Sequence, residues 1–316
     1  MKAISENLCY KTVTLADTKP SPIAFNLIDN GEDIPLLFIH GFPFNGSMWH
    51  RVANFLLNNS KPETNKSPDI TTHQNNFLNY RTIIPDLRGL GKSKLTTLTT
   101  NSTKINTAIE QYADDLNAIL NNIKVNKPIT VIGLSMGGYI AVQFAHKYKN
   151  RVNSLVLCNT KTAPDTPEGK LVRQTLINDI DHSINPSNDI LRNIADSMIP
   201  RLFASNTYSN KTDIVDEVRS MIESNNLIGI RAATWGMMTR HDTTDLLKEF
   251  DIPILVIGGE EDKFTPPDIM KQLAQTAKHG KYIEIANAGH LTPMEQPEQF
   301  AIALNIFVTE IITPIQ

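Results

Sequence analysis

Cysteine is scarce in this chain of 316 residues, and the two present, Cys9 and Cys158, are too few for a disulfide framework or a cysteine metal site. An excess of one charge is also missing, because 30 Lys and Arg face 33 Asp and Glu, a net charge of −3 at neutral pH. A chain without a strong positive field is a poor match for nucleic acid or an anionic membrane. No apolar run reaches the roughly 18 residues of a membrane helix. We therefore expect no nucleic acid and no membrane among its partners.

The residues that are present suit a globular protein. Hydrophobic residues make up 41% of the chain and charged residues 20%, which is enough apolar material for a full core. Near the start of the chain, Ser5, Glu6 and Asn7 stand where a signal peptide would need an apolar stretch. Together with the low cysteine content, this predicts a cytoplasmic protein.

Short apolar runs alternate with longer segments of helical period, a pattern that predicts an α/β fold with a mostly parallel sheet of eight strands. Runs such as LLFIH, ITVIGL and ILVIGG are apolar throughout, as strands covered on both faces should be. We expect strands at Cys9–Leu15, Ile23–Ile28, Pro35–His40, Thr82–Pro85, Ile129–Leu134, Ser154–Cys158, Ile254–Gly258 and Tyr282–Ile285. The first two are partly polar and predict an antiparallel hairpin at the sheet edge.

Two segments interrupt the alternation. Residues 58–79 are rich in Asn, Lys and Thr and predict a polar surface insertion, because they offer little apolar area to offset the entropy of ordering. Residues 161–249 have apolar residues at helical spacing and no strand-like run between them. The sequence therefore predicts a discontinuous core, 1–160 and 250–316, with a helical cap inserted at 161–249.

The most specific motif is the G-x-S-x-G of Gly133 to Gly137, with Ser135 at its centre. It lies between the apolar run ITVIGL and a helical segment, and this strand-turn-helix context is what the nucleophile elbow of a serine hydrolase requires. Small residues on both sides let the backbone turn sharply and expose the hydroxyl. We predict Ser135 as a nucleophile.

A serine hydroxyl needs a base, and eight histidines compete for that role. His290 is preferred, because it follows the run YIEIA in a glycine-containing turn, after the serine in chain order. His279 looks like part of a helix C-terminus, and His40 precedes the serine and is expected to shape its loop. The others lack a strand end and are predicted to lie on the surface: His50, His73, His146, His182 and His241.

The base in turn needs an acid at an earlier strand end. Three acids follow the run ILVIGG, and Asp262 is preferred over Glu260 and Glu261, since an acid at this spacing after that strand matches the triad arrangement. For the oxyanion that forms during acyl transfer, the backbone N–H groups of Phe42 and Met136 are the candidate donors. Both follow strand ends.

The substrate pocket is expected between the elbow and the cap. Its candidate apolar lining is Phe42, Phe44, Met136, Trp235, Met237, Met238 and Leu291, although the residues in the cap could equally serve packing. Five cap arginines could meet a carboxylate on the substrate, with none favoured: Arg173, Arg192, Arg201, Arg231 and Arg240. No cofactor or metal is predicted, because the chain has no phosphate-binding loop and no cluster of metal ligands.

Five segments in this order resemble the α/β-hydrolase superfamily with a helical cap: HGFPFNGSMW, PDLRGLGKS, GLSMGG, GGEEDKFTPP and NAGHLTPMEQPEQF. The segments GLSMGGYIA and LCNTKTAPDTPEGK are similar to those of bacterial carboxylesterases and 3-oxoadipate enol-lactonases. The resemblance implies an α/β-hydrolase fold, a triad of Ser135, Asp262 and His290, and oxyanion donors at Phe42 and Met136. It also implies that PDLRGLGKS is a structural loop organised by Asp86 and Arg88.

The predicted activity is hydrolysis of a small carboxylic ester or lactone through an acyl-Ser135 intermediate. Three alternatives stay open: enol-lactonase activity, C–C bond hydrolysis or acyl transfer by the same residues, and a receptor of this fold that binds a ligand without turnover. The oligomeric state and the acyl-chain length do not follow from the sequence.

Overall fold

One twisted sheet of eight strands forms the centre of the protein. The computed structural model describes residues 10–15, 23–31, 34–60, 77–95, 105–183 and 188–312. Its strands are β1 Tyr10–Leu15, β2 Ile23–Asp29, β3 Ile34–Ile39, β4 Tyr80–Pro85, β5 Ile129–Leu134, β6 Val152–Cys158, β7 Ile254–Gly259 and β8 Gly280–Ile285. The order across the sheet is β1-β2-β4-β3-β5-β6-β7-β8.

The strand directions confirm the predicted architecture. From β4 to β8 every pairing is parallel, whereas β1 pairs antiparallel with β2, and β2 antiparallel with β4. The predicted edge hairpin is therefore present, with Cys9 outside the described residues. Strands β5 and β7 are buried along their whole length, which explains their unbroken apolar sequences.

Helices connect the strands and cover the sheet. They are α1 His50–Asn59, α2 Ile109–Asn122, α3 Met136–Lys147, α4 Pro167–His182, α5 Asn188–Leu202, α6 Ser205–Asn210, α7 Thr212–Glu223, α8 Leu227–Thr239, α9 Thr244–Glu249, α10 Pro267–Thr276, α11 Thr292–Glu295 and α12 Pro297–Ile312. A short 3-10 turn, Gly46–Trp49, directly precedes α1. None of the helices in the described ranges is long and apolar enough to cross a membrane.

The segment between β6 and β7 is helical in the described residues and contains α4 to α9. Because β7 and β8 rejoin the sheet beside β6, the chain leaves the sheet after Cys158 and returns at Ile254. The helices α4 to α9 therefore begin at the carboxyl end of β6 and lead back to the start of β7.

The two ends of the predicted polar insertion pack against the rest of the protein. Residues 61–76 lie outside the described part of the chain, but both ends of the 58–79 segment belong to the folded body. Phe77 is buried edge-on against Phe55, and Leu78 donates its N–H to the side chain of Asn305. Burial of an aromatic ring gives this end the apolar area that the rest of the segment lacks.

Candidate active site

Ser135 occupies a sharp turn between β5 and α3. Its backbone has φ 55° and ψ −114°, a left-handed conformation that is costly for a residue with a side chain. Two hydrogen bonds hold it there: the Ser135 N–H donates to Cys158 O at 3.0 Å, and the Thr160 hydroxyl donates to Ser135 O at 2.7 Å. The turn presents Ser135 at the wall of a cavity.

The glycines of the motif are a steric requirement of this turn. A Cβ on Gly133 would lie 2.2 Å from Gly137 O, and a Cβ on Gly137 would lie 2.2 Å from Ile39 O. Both distances are far below any real carbon-oxygen contact, and both contacts are to backbone atoms that cannot rotate away. The elbow can form only where these two positions lack a side chain.

His290 and Asp262 form a buried pair on the neighbouring strand ends. Asp262 follows β7 and His290 follows β8, and His290 Nδ1 lies 2.9 Å from Asp262 Oδ2. An ionised carboxylate can only accept a hydrogen bond, so Nδ1 carries the proton and Nε2 is left as the basic nitrogen. His290 lines the same cavity as Ser135, and the structure therefore brings the three predicted residues to one site.

The environment of Asp262 keeps it ionised. Burial acts to raise the pKa of this carboxyl, but the facing His290 and several hydrogen bonds outweigh it and lower the pKa to about 2. The backbone N–H groups of Phe264 and Thr265 donate to Oδ1 at 2.8 and 3.2 Å. The Thr265 hydroxyl donates to Oδ2.

The two competing acids point elsewhere. Glu260 accepts the backbone N–H of Asn287, and Glu261 accepts the N–H and hydroxyl of Ser205 at the start of α6. Of the three neighbouring carboxylates, Asp262 is the one that contacts His290. Glu260 and Glu261 have structural partners that account for their positions.

Asn159 and Thr292 belong to the site, and the sequence analysis missed both. Asn159 follows β6 with φ 43°, is fully buried, and donates from Nδ2 to Asp262 Oδ2 at 2.8 Å. The Thr292 hydroxyl donates to Asn159 Oδ1 at 2.7 Å, which orients the amide so that its NH₂ group faces the carboxylate. A sequence signal for Asn159 was available: it begins a pair of polar residues, Asn159 and Thr160, directly after the apolar run LVLC. Because parallel strands end at one edge of the sheet, polar residues at that position lie near the other strand ends.

The remaining histidines differ in their environments. His40 is buried and neutral, with Nδ1 near Gly41 O and Nε2 accepting the Leu87 N–H, so it fixes the loop before the elbow as expected. His50 is also buried, which corrects its predicted surface position: it begins α1, and burial lowers its pKa to about 4. His73 lies outside the described residues. The others are exposed: His146, His182, His241 and His279.

The loop PDLRGLGKS is held by its two charged residues. Asp86 accepts the backbone N–H of Gly46 at 2.7 Å and that of Lys92 at 2.9 Å, which ties two turns together. Arg88 forms a buried ion pair with Asp115 on α2. Neither residue lines the cavity, and both have the organising position that the resemblance implied.

The two residues predicted as oxyanion donors, Phe42 and Met136, follow strand ends next to the cavity or the serine. Phe42 follows β3 and lines the cavity beside Ser135. Met136 is the first residue of α3, so its N–H precedes the first hydrogen bond of that helix and lies at the positive end of the helix dipole. These are the positions that the sequence predicted for oxyanion donors.

The cavity has a volume of about 1000 Å³ and lies between the strand ends and the helices α4, α5 and α8. Met237, on α8, lines it as predicted. Phe44 and Leu291 do not, because both are fully buried in the core, and Trp235 and Met238 project from other sides of α8. In place of these predicted residues, α4 and α5 supply apolar side chains: Val172, Leu176, Ile190, Ile194 and Met198.

The histidine loop is joined to the helical segment. His290 donates its N–H to Leu202 O at 2.7 Å, at the end of α5. The buried carboxylate of Glu295 accepts the N–H of Ala204 from one side and that of Gly289 from the other, each at 2.8 Å. A Cβ on Gly289 would meet Ala204 N at 2.6 Å. The two backbones are therefore in direct contact.

Within the ranges that the structure describes, no group of three His, Cys, Asp or Glu side chains could hold a metal ion. That the protein works without a cofactor stays a prediction.

Comparison with known proteins adds independent information. The model of the alpha/beta hydrolase family matches residues 36–303. A solved structure of a thermophilic esterase from Thermogutta terrifontis, with malate bound, is 34% identical, with 96% of this chain and 100% of that chain covered and a TM-score of 0.81.

Two curated relatives are less similar to this chain and match it over shorter spans. A 3-oxoadipate enol-lactonase 2 of Acinetobacter baylyi is 25% identical over 222 residues, 70% of this chain and 76% of its own. A putative 2-succinyl-6-hydroxy-2,4-cyclohexadiene-1-carboxylate synthase of Bacillus subtilis is 28% identical over 212 residues, 64% of this chain and 73% of its own. The family match extends over the elbow and the histidine loop. The chain therefore belongs to the alpha/beta hydrolase family.

Proposed function

We propose that this protein is a serine hydrolase that cleaves small carboxylic esters or lactones through an acyl-Ser135 intermediate. One observation carries the proposal: a serine in a left-handed elbow and a buried His290–Asp262 pair line or adjoin one cavity. A strained turn that exposes a hydroxyl has no evident structural benefit. It is useful where that hydroxyl attacks a substrate.

The reaction follows from the protonation states. His290 Nε2 takes the proton of Ser135 as the hydroxyl oxygen attacks the acyl carbon, and Asp262 stabilises the imidazolium without taking a proton itself. The proton then passes to the leaving alkoxide as the ester bond breaks. A water molecule, activated in the same way by His290, releases the acid and restores Ser135. In a lactone the leaving alkoxide stays attached to the acyl group.

The oxyanion of each tetrahedral intermediate needs donors that are already in place. The N–H groups of Phe42 and Met136 are the proposed pair, and the start of α3 adds the favourable end of a helix dipole. Neither donor can be removed by changing a side chain. Their contribution is therefore part of the backbone geometry that the two motif glycines permit.

The helices between β6 and β7 are proposed to act as a cap. Helices α4, α5 and α8 supply most of the cavity wall, and a wall that excludes water strengthens the electrostatic effects at the acyl carbon. The division into a core of residues 1–160 and 250–316 and a cap of residues 161–249 is retained as part of this proposal.

Substitution of Ser135 tests the proposal. Ser135→Ala should abolish hydrolysis of p-nitrophenyl butyrate and labelling by a fluorophosphonate, while the melting temperature stays within a few degrees, since the change removes one oxygen atom. Exposed Ser209→Ala is the matched control and should leave both unchanged. Turnover that survives in Ser135→Ala would overturn the assignment of the nucleophile.

Enol-lactonase activity is the second candidate, because one curated relative carries that name. It uses the same residues and differs only in the substrate, so the rates on an enol-lactone and on simple acyl esters separate the two. C–C bond hydrolysis and acyl transfer would appear as other products with the same labelled serine. An unlabelled Ser135 in a protein that still binds ligands would indicate the receptor alternative.

A further inference from the structure

The five cap arginines considered above as carboxylate partners differ in their own contacts. Arg173 and Arg240 both contact Asp165, which is 7% exposed and has a strongly lowered pKa, owing to hydrogen bonds from both guanidinium groups that outweigh its burial. Arg231 pairs with Asp181, and the exposed Arg192 pairs with Asp189 at 3.3 Å. For Arg201, no carboxylate partner occurs among the residues that the structure describes.

Arg201 is held in place by aromatic contacts. Its guanidinium carbon lies 4.5 Å from the centre of the Phe264 ring, and Phe264 in turn lies 5.0 Å from the ring of His290. All three residues line the cavity. A planar cation that rests on an aromatic face keeps its N–H donors free for another acceptor, because stacking uses only the π face.

We propose that Arg201 binds a carboxylate at the end of the substrate remote from the scissile bond. The preferred substrates are then monoesters of short dicarboxylic acids, or lactones that bear a carboxylate. This inference rests on the hydrolase function proposed above and adds the charge of the substrate to it. Arg201 acts on specificity and takes no part in the bond-breaking step.

The contacts with Phe264 limit the length of the substrate. The centre of the Phe264 ring lies 4.5 Å from the Arg201 guanidinium carbon and 5.0 Å from the centre of the His290 ring, so one aromatic ring links the guanidinium to the imidazole. A short dicarboxylic acid can reach across this distance with its acyl carbon near Ser135 and its carboxylate at Arg201. A monocarboxylic acyl chain would leave the guanidinium without an acceptor.

The charges elsewhere on the wall agree with an anionic ligand. Asp165 faces three cations, since Lys161 lies 3.4 Å from it in addition to the two arginines. This cluster has a surplus of positive charge. The other acidic residue of the lining, Asp179, is exposed to solvent, where its charge is screened.

The test compares two esters that differ by one methyl group: monomethyl glutarate, which carries a carboxylate, and dimethyl glutarate, which does not. In Arg201→Gln, kcat/KM for the monoester should fall about tenfold or more relative to the diester, the effect of losing a charge-assisted hydrogen bond. Arg201→Lys keeps the charge without the two-pronged geometry and should show a smaller change. Added salt should reduce the wild-type preference, because Arg201 is exposed.

Arg192→Gln is the matched control, an exposed cap arginine that does not line the cavity, and its ratio of monoester to diester should equal that of the wild type. If Arg201→Gln slows both esters equally, the loss comes from a displaced Phe264 and the proposal is wrong.

Binding of glutarate, measured by calorimetry, requires no turnover and should weaken about tenfold in Arg201→Gln. Should neither ester be cleaved while glutarate binding still depends on Arg201, the hydrolase function fails and the carboxylate site stands. If the wild type and Arg201→Gln bind glutarate equally well, the proposed carboxylate site at Arg201 is wrong.

Discussion

The two sides of the cavity are built in different ways. On the sheet side, the polar groups around His290 are buried and have fixed partners: Asp262 accepts from Thr265, Asn159 and His290. On the helical side, many side chains of the wall are half-buried or exposed, among them Val172, which is 71% exposed, and Arg201. Buried hydrogen-bond networks tolerate little change, whereas exposed side chains on helices can be replaced at low cost.

This contrast separates chemistry from selectivity. In the proposed reaction, the sheet side positions a nucleophile, a base and an acid that must stay within hydrogen-bond distance of one another. The helical side determines which molecules fill about 1000 Å³ of space and which charges they meet. Substitutions on the sheet side should therefore reduce the rate for every substrate, and substitutions on the helical side should change the order of substrate preference.

The largest effect is expected from Asp262→Asn. An amide in place of the carboxylate disturbs the His290 tautomer and removes the charge that stabilises the imidazolium, so kcat should fall about 10,000-fold for all esters. Glu260→Gln, a neighbouring exposed carboxylate, should lower kcat less than threefold. Comparable losses in the two variants would contradict the role of Asp262.

Asp262 should also appear in the stability at acid pH. Its pKa is lowered from 3.8 to about 2 by folding, so its ionised form stabilises the native state at pH values above about 4. That contribution is lost as the pH falls through about 2. Denaturant unfolding between pH 7 and pH 2 should show the wild type losing its advantage over Asp262→Asn, apart from strain that the amide introduces. A difference independent of pH would contradict the lowered pKa.

Asn159 is expected to have an intermediate effect on every substrate. Asn159→Gly removes the donor to Asp262 but permits the positive φ, and kcat should fall about tenfold with little change in KM, the value of one hydrogen bond to a charged group. Thr292→Val leaves the amide in place and removes only the hydroxyl that orients it, so its loss should be smaller. The rate of fluorophosphonate labelling should fall in parallel with kcat. Unchanged labelling in a less stable Asn159→Gly would indicate a purely structural role.

The smallest effect belongs to the helical side. Met237→Ala enlarges the cavity and should shift the preference among p-nitrophenyl esters, from acetate to octanoate, towards longer acyl chains by several-fold. Met238→Ala, one residue along α8 and away from the cavity, is the matched control. An identical shift in the two variants would mean that α8 has moved and that neither side chain shapes the pocket.

The same contrast explains what could be predicted from the sequence. Strand ends are local features: a continuous apolar run ends where β5 or β7 ends, and a mixed run ends where β8 ends. Parallel strands bring those ends to one edge. Ser135, Asp262 and His290 could therefore be placed together before the structure was known. The edge hairpin followed from two partly polar runs, whereas the order of the strands came from the structure.

The cavity wall could not be predicted in this way. Helical periodicity gives the apolar face of α8, but which neighbour covers that face depends on how α4 to α9 pack, and Trp235 was placed wrongly for this reason. His50 was misjudged because its burial depends on the loop around Asp86, which is distant in sequence. Arg201 differs from the other four candidate arginines of the cap because no described carboxylate pairs with it. Whether a carboxylate lies nearby depends on the packing of the helices, which the sequence does not show.

The contact between the histidine loop and the end of α5 has a consequence for recombination between relatives. Glu295 bridges Ala204 and Gly289, and the backbones at these two positions leave no room for a side chain on the glycine. A chimera that imports foreign helices together with residues 202–204 would bring a new surface against His290. Crossovers placed before Leu202 would exchange most of the substrate-binding wall and leave the register of the base intact. Recombination before Leu202 should therefore change substrate preference and leave the proposed catalytic residues in place.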